Sequence, residues 1–132
     1  MILVDTSAWV AFTRADETPA DLALTTLIEQ DADLLTTDIV TLELLAGARS
    51  PSHLNQLRQL LAATIHVGIA AGIDADQGAE IYRTCRRQGE TPRQLNDCLI
   101  AAVAIRHDVP VLHADRDFEV MARHTTLQTL TS

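Results

Sequence analysis

The chain contains no lysine, and all 10 of its basic residues are arginine. That absence excludes lysine-dependent chemistries together, the phosphate-binding P-loop among them. Aromatic residues are only 3% of the total, too few for a platform that stacks single-stranded bases. No apolar run approaches the ~18 residues of a membrane-spanning helix, so no membrane partner is expected. Two cysteines, Cys85 and Cys98, make neither a disulfide framework nor a zinc site, and buried reduced thiols are the expectation. The start, Met1-Ile2-Leu3-Val4-Asp5, lacks a basic leader and places an acid where a secretion signal is still apolar, which predicts a cytoplasmic protein.

What is present describes a folded domain. Hydrophobic residues are 47% and charged residues 21% of the 132 positions, which excludes a disordered chain. The length predicts one domain spanning 1–132, able to bury roughly two-thirds of its unfolded surface. The net charge of −8, taken alone, argues against a nucleic-acid partner, because phosphates are repelled by a negative field.

Short apolar runs alternate with longer helical patterns, which reads as an α/β fold around a mostly parallel sheet. Ile2-Leu3-Val4 is continuous rather than alternating, as buried parallel strands are. Further strands are expected at Leu34-Leu35-Thr36, Ile65-His66-Val67 and Pro110 to His113, with an edge strand at Leu127 to Leu130. Helices are expected from a Thr6 or Ser7 cap, from Thr18-Pro19 with Leu22, Leu24, Leu27 and Ile28, and from a Thr37 or Asp38 cap to Gly47. Others run from Ser50-Pro51, from about Asp74 to Arg87 with a stop at Gly89, and from Leu95 to His107 with Leu95, Leu99, Ile100 and Val103 on one face. A last short helix covers Phe118 to Arg123.

The acids fall at one end of this arrangement. Asp5 closes the first strand, and Asp115 and Asp117 come just after the fourth. Ligands of open parallel sheets bind beyond the carboxyl ends of the strands. Glu43 and Asp97 lie on helices that begin at that end, Glu43 between Leu42 and Leu44. Each acid alone has an ordinary explanation, since a first-turn Asp is favoured by the helix dipole. Together they do not. Two carboxylates ~5 Å apart repel by about 3 kcal/mol at an effective dielectric of 20, while a whole domain is stable by only ~5–15 kcal/mol. A converging cluster must therefore take up protons, arginines or a metal. All-oxygen ligation suits Mg²⁺ or Mn²⁺ and phosphodiester chemistry. Much of the net charge would then lie in the site, and two divalent ions would halve it.

Four segments in order carry a resemblance: Val4-Asp5-Thr6-Ser7; Glu43 with Gly47 and Arg49; Asn96-Asp97-Cys98-Leu99-Ile100-Ala101-Ala102; and Leu112-His113-Ala114-Asp115-Arg116-Asp117-Phe118. The sequence resembles the PIN-domain ribonucleases, specifically the VapC-type toxins of type II toxin–antitoxin pairs. The resemblance implies a three-layer α/β/α sandwich and Mg²⁺- or Mn²⁺-dependent endonucleolytic cleavage of RNA. It carries the core acids onto Asp5, Glu43, Asp97 and Asp115, with Asp117 as a further site acid. Asp5, Asp97 and Asp115 are the implied holders of a metal that activates water for in-line attack. Glu43 and Asp117 would complete a second ion site or orient the water. Thr6 or Ser7 matches the family's hydroxyl beside the metal or a phosphate. His113 departs from the Thr or Ser of many relatives. It either hydrogen-bonds a site carboxylate or water, or is satisfied by backbone at a strand end.

Candidate phosphate contacts are Arg93, Arg116 and the helix-face set Arg83, Arg86 and Arg87, the last two equally suited to a helix C-terminus. Arg49 matches a commonly basic position of the family or is only a helix-end charge. Trp9 and Phe12 are either core or a partner surface. The resemblance also implies a cognate antitoxin, whose arginine would suit the acidic site, a transfer or ribosomal RNA substrate, and a homodimer. The alternative is a catalytically weak PIN domain that binds RNA or a partner without cutting. A phospho-acceptor receiver domain is disfavoured, because Val67-Gly68 carries no acid and lysine is absent. Ser7 stands where a haloacid-dehalogenase-type phosphatase needs its second Asp.

Overall fold

The computed structural model describes residues 1–130. In chain order the elements are β1 (Ile2–Val4), α1 (Thr6–Thr13), α2 (Pro19–Glu29), β2 (Leu34–Thr36), α3 (Asp38–Ala46) and α4 (Pro51–Ala62). They continue as β3 (Ile65–His66), α5 (Ile73–Arg87), α6 (Leu95–Arg106), β4 (Val111–Leu112), α7 (Arg116–His124) and β5 (Thr129–Leu130). The five strands form one sheet in the order β3-β2-β1-β4-β5, and every pairing is parallel. Helices flank it in a three-layer α/β/α sandwich. The expected strands are all present, the third and fifth as two-residue edges.

Topology fixes where a ligand can bind. From β1 the chain steps outward through β2 to β3, then returns to the other side of β1 with β4. The reversal point lies between β1 and β4, where diverging connections leave a crevice at the carboxyl ends of the strands. Asp5 stands there, its backbone N–H donating to Leu112 O at 2.9 Å.

The core is aliphatic. Leu3, Val4, Leu35, Val111 and Leu112 of the sheet pack with Ile100, Val103, Phe118 and Met121 of the helices. α6 is the central helix, with buried residues around most of its circumference, as a helix enclosed by protein should be. Gly78 of α5 lies against it, where an added Cβ would sit 3.4 Å from Cys98 O. This close approach holds the first turn of α6, and Asp97 with it, near α5. Gly89 has φ +80°, the left-handed turn that lets the chain leave α5 and double back.

Several local expectations are corrected. Asp5 caps α1, not Thr6 or Ser7, by accepting from Ser7 N. Thr37 sits at the cap position of α3 without a side-chain cap bond, its hydroxyl buried instead. Leu95 is exposed rather than on the buried face of α6, and Leu22, Ile28 and Leu42 are exposed as well. Periodicity identifies a helix, but on helices this apolar it does not say which stripe the neighbours cover. Cys85 and Cys98 are buried and free, and burial raises both thiol pKa values, that of Cys98 to about 12.

Candidate metal centre

Asp5 serves two roles through its two oxygens. Oδ2 accepts from Ser7 N at 3.0 Å and from the Ser7 hydroxyl at 2.5 Å. Oδ1 is buried with no hydrogen-bond partner. Ser7 Oγ in turn accepts from Ala114 N at 2.9 Å, so one hydroxyl ties the end of β1 to the end of β4. Thr6 points the other way and donates to Glu43 Oε1 at 2.8 Å. Thr6 thus orients Glu43 from α3, while Ser7 orients Asp5.

Asp97 projects from the first turn of α6, buried at 6% exposure, and its Oδ2 also lacks a partner. One carboxylate oxygen from each of Asp97, Asp115 and Asp117 lies within 4.8 Å of the others. Burial pushes Asp97 up to about 9, aided by the charges of Asp5 and Asp115, by a hydrogen bond to Asp115 and by the Asp117 charge. Burial also raises Asp5, to about 6, against the pull of its Ser7 and Thr6 hydrogen bonds. Asp97 therefore meets Asp115 and Asp117 within reach of the Asp5 charge, and without a cation Asp97 holds a proton at neutral pH. Two buried carboxylate oxygens without donors suit a hard divalent ion, for which oxygen ligands are preferred.

Asp117 is fully buried and already engaged. Its Oδ2 accepts from Arg93 N at 2.9 Å and Gln94 N at 3.3 Å, and Oδ1 lies 3.4 Å from Arg93 Nε. Arg93 Nη2 reaches Asp115 Oδ1 at 3.3 Å, the oxygen that also accepts from Asp117 N. Asp115 caps α7 through that bond.

A family model for the PIN domain matches residues 2–124. The chain belongs to the PIN-domain family. Within it, the chain is 42% identical over 129 residues to the ribonuclease VapC11 of Mycobacterium tuberculosis, covering 97% of this chain and 96% of the relative. Its fold is that of VapBC2 from Rickettsia felis bound to a DNA fragment from their promoter, with TM-score 0.77, 20% identity and 98% of both chains covered. It is also that of a toxin–antitoxin complex from Klebsiella pneumoniae, with TM-score 0.70, 18% identity and 89% and 90% coverage.

The remaining candidates of this PIN domain divide by position. His113 accepts from Asp115 N through Nδ1 at 3.2 Å and packs on Phe118, ring centroids 5.3 Å apart. Backbone occupies Nδ1 alone, while Nε2 is buried without a partner, and burial lowers the pKa of the ring. Arg93 is in the site, but on carboxylates. Arg116 is exposed and lines a cavity of about 300 Å³ with His113 and Asp115. Arg83, Arg86 and Arg87 engage their own helix: Arg83 lies 4.0 Å from Glu80, Arg86 sits over the Tyr82 ring and Arg87 bonds Thr84. Trp9 is core, 2% exposed and in edge contact with Phe12. Phe12 also lines a groove between α1 and α4.

Two features went unread in the sequence. Arg14 shares with Glu43 and Arg49 a cavity of about 170 Å³, although only its place just beyond α1 hints at this. Thr36 and Thr37 bury hydroxyls that lack partners at the carboxyl end of β2. Their position matches that of Asp5 on β1, a signal available from the strand pattern alone.

Proposed function

We propose that this PIN domain is a divalent-metal-dependent endoribonuclease acting as the toxin of a toxin–antitoxin pair. The observation that carries the reading is the pair of buried, unpartnered oxygens, Asp5 Oδ1 and Asp97 Oδ2, in a crevice shared with Asp115. Burying such groups without compensation is costly, and a divalent cation compensates it. Asp5, Asp97 and Asp115 would hold Mg²⁺ or Mn²⁺, with Asp117 beside them. A bound ion supplies a Lewis acid for the scissile phosphate and lowers the pKa of water.

The chain's own residues do the rest. Ser7 fixes the Asp5 carboxylate by two bonds to one oxygen and leaves the other for the ion. Thr6 holds Glu43 by one hydrogen bond, and Glu43 would orient the attacking water or accept its proton. In-line attack by water expels the 3′ oxygen and leaves a 5′ phosphate. The family likeness to VapC ribonucleases supports RNA, transfer or ribosomal, as substrate. The toxin–antitoxin likeness supports a partner whose arginine would neutralise the acids, and a homodimer accords with the family pattern. The working unit would be a single domain spanning 1–132, and the VapC likeness supports action in the cytoplasm. Separately, no described helix is long and apolar enough to cross a membrane.

The test is Mn²⁺ titration by calorimetry into partner-free protein, with cleavage of cellular RNA measured with and without EDTA. Binding and EDTA-sensitive cleavage, both lost in Asp97→Asn and Asp5→Asn, are expected. Full cleavage by either variant would refute the assignment, and metal binding without cleavage of any RNA would favour a binding-only domain.

A further inference from the structure

Arg93 occupies an unusual place for a phosphate-binding arginine. Its guanidinium lies between Asp115 and Asp117, with Nη2 3.3 Å from the first and Nε 3.4 Å from the second. Its backbone is separately pinned, because Arg93 N donates to Asp117 Oδ2 at 2.9 Å. The side chain is nonetheless 64% exposed. The root is fixed by the buried acid and the charged head is free to leave at the mouth of the site.

We propose that Arg93 is a built-in counter-cation of the metal site, exchanging carboxylate for substrate phosphate when the ion binds. This rests on the metal-dependent reading above. In the metal-free protein the guanidinium neutralises Asp115 and Asp117, the two acids whose oxygens converge with that of Asp97. An ion held by Asp97 and Asp115 must share Asp115 with a positive charge only 3.3 Å from its Oδ1. Two cations on one carboxylate repel, and the exposed one is the one that moves. The planar fork that faced two carboxylates is equally suited to a phosphate. Asp117 Oδ2 keeps its two backbone donors when the side chain departs, and Oδ1, which Nε releases, becomes available to the ion. Arg93 thus opposes metal binding in the absence of RNA and favours RNA once the metal is in place.

The two halves predict effects of opposite sign, which a merely damaged fold would not give. Mn²⁺ is titrated calorimetrically into wild type, Arg93→Gln, Arg93→Lys and Asp97→Asn, without RNA. Removing one positive charge beside a divalent ion is expected to tighten Mn²⁺ binding on the order of tenfold. Arg93→Lys, which keeps the charge, should stay near wild type. In cleavage assays at saturating Mn²⁺, Arg93→Gln should raise KM for RNA several-fold more than it lowers kcat. Unchanged or weaker Mn²⁺ binding in Arg93→Gln overturns the inference, as does equal tightening in Arg93→Lys, since charge would not then be the cause. If wild type itself fails to bind Mn²⁺, or Asp97→Asn binds as well as wild type, the metallonuclease reading falls and takes this inference with it.

Discussion

Asp97→Asn should make the metal-free protein more stable while ending its ability to hold metal. Asp97 sits at 6% exposure with its pKa raised to about 9 by burial and by the Asp5 and Asp115 charges. In the unfolded chain the same carboxyl ionises near 3.9. Between those values the native state binds more protons than the unfolded state, so stability falls as pH rises. Each pH unit above the unfolded pKa costs about 1.4 kcal/mol, which would reach about 6 kcal/mol at pH 8. Water at the mouth of the crevice screens part of this, and halving it leaves about 3 kcal/mol at pH 8 and under about 1 kcal/mol at pH 5.

An asparagine at this position mimics the protonated acid. Its amide can donate toward Asp115, as the protonated Asp97 carboxyl does. The assay is thermal unfolding in EDTA from about pH 5 to pH 8 for both proteins. The variant should melt roughly 10 °C above wild type at pH 8 and within a few degrees of it at pH 5. Saturating Mn²⁺ should then raise the wild-type melting temperature and leave the variant unmoved. Melting curves that stay parallel across pH would refute the reasoning, because the difference must grow as the unfolded acid ionises.

Mn²⁺ affinity of wild type should rise with pH through about 6 and beyond, since the raised acids Asp5 and Asp97 must lose their protons to ligate; calorimetry at several pH values would show a flat profile if these groups are not ligands. Thr6→Val removes the only described hydrogen bond to the Glu43 carboxylate and should lower kcat roughly tenfold with little change in melting temperature, whereas a large loss of stability would assign Thr6 a structural role. Gly78→Ala places a Cβ at ordinary contact distance from Cys98 O and should be neutral or stabilising by up to about 1 kcal/mol. Gly78→Leu should force α5 from α6 and unfold the protein at lower denaturant, and equal stability of the two variants would show that the close approach is unimportant.

The sheet and its acids were legible because their physics is local. Leu3-Val4 and Leu34-Leu35 are apolar without alternation, and Asp5, Asp115 and the Thr6-Ser7 pair lie at or just beyond strand ends. A parallel strand must release its chain at one end of the sheet, so topology alone places the residues that come next. Thr37 shows the limit. It occupies a cap position, yet its hydroxyl is turned inward and buried, a choice made by neighbours distant in sequence. Arg93 shows it more sharply. Its position before Asp97 places it near the site, but its pairing with Asp115 and Asp117 depends on how α7 packs under the loop, across a separation of 22 and 24 residues. Leu95 departs from its expected apolar face for the same reason, since hydropathy does not reveal which side a partner element covers.

The net charge of −8 would forbid an RNA substrate only if charge acted as one undivided quantity. Asp97, Asp115 and Asp117 converge, and the charges of Asp5, Asp115 and Asp117 add to burial in raising the pKa of Asp97. The same repulsion would attract a divalent ion, and the ion would reverse the local sign where a phosphate approaches. Asp117 then has a distinct part among the acids. Both of its oxygens are engaged by the Arg93 and Gln94 segment, which leads directly into α6. Its charge holds the entrance of that helix, and thereby Asp97, at the carboxyl end of the sheet. The acidic cluster is in this sense divided between groups that wait for a cation and one that keeps them in place.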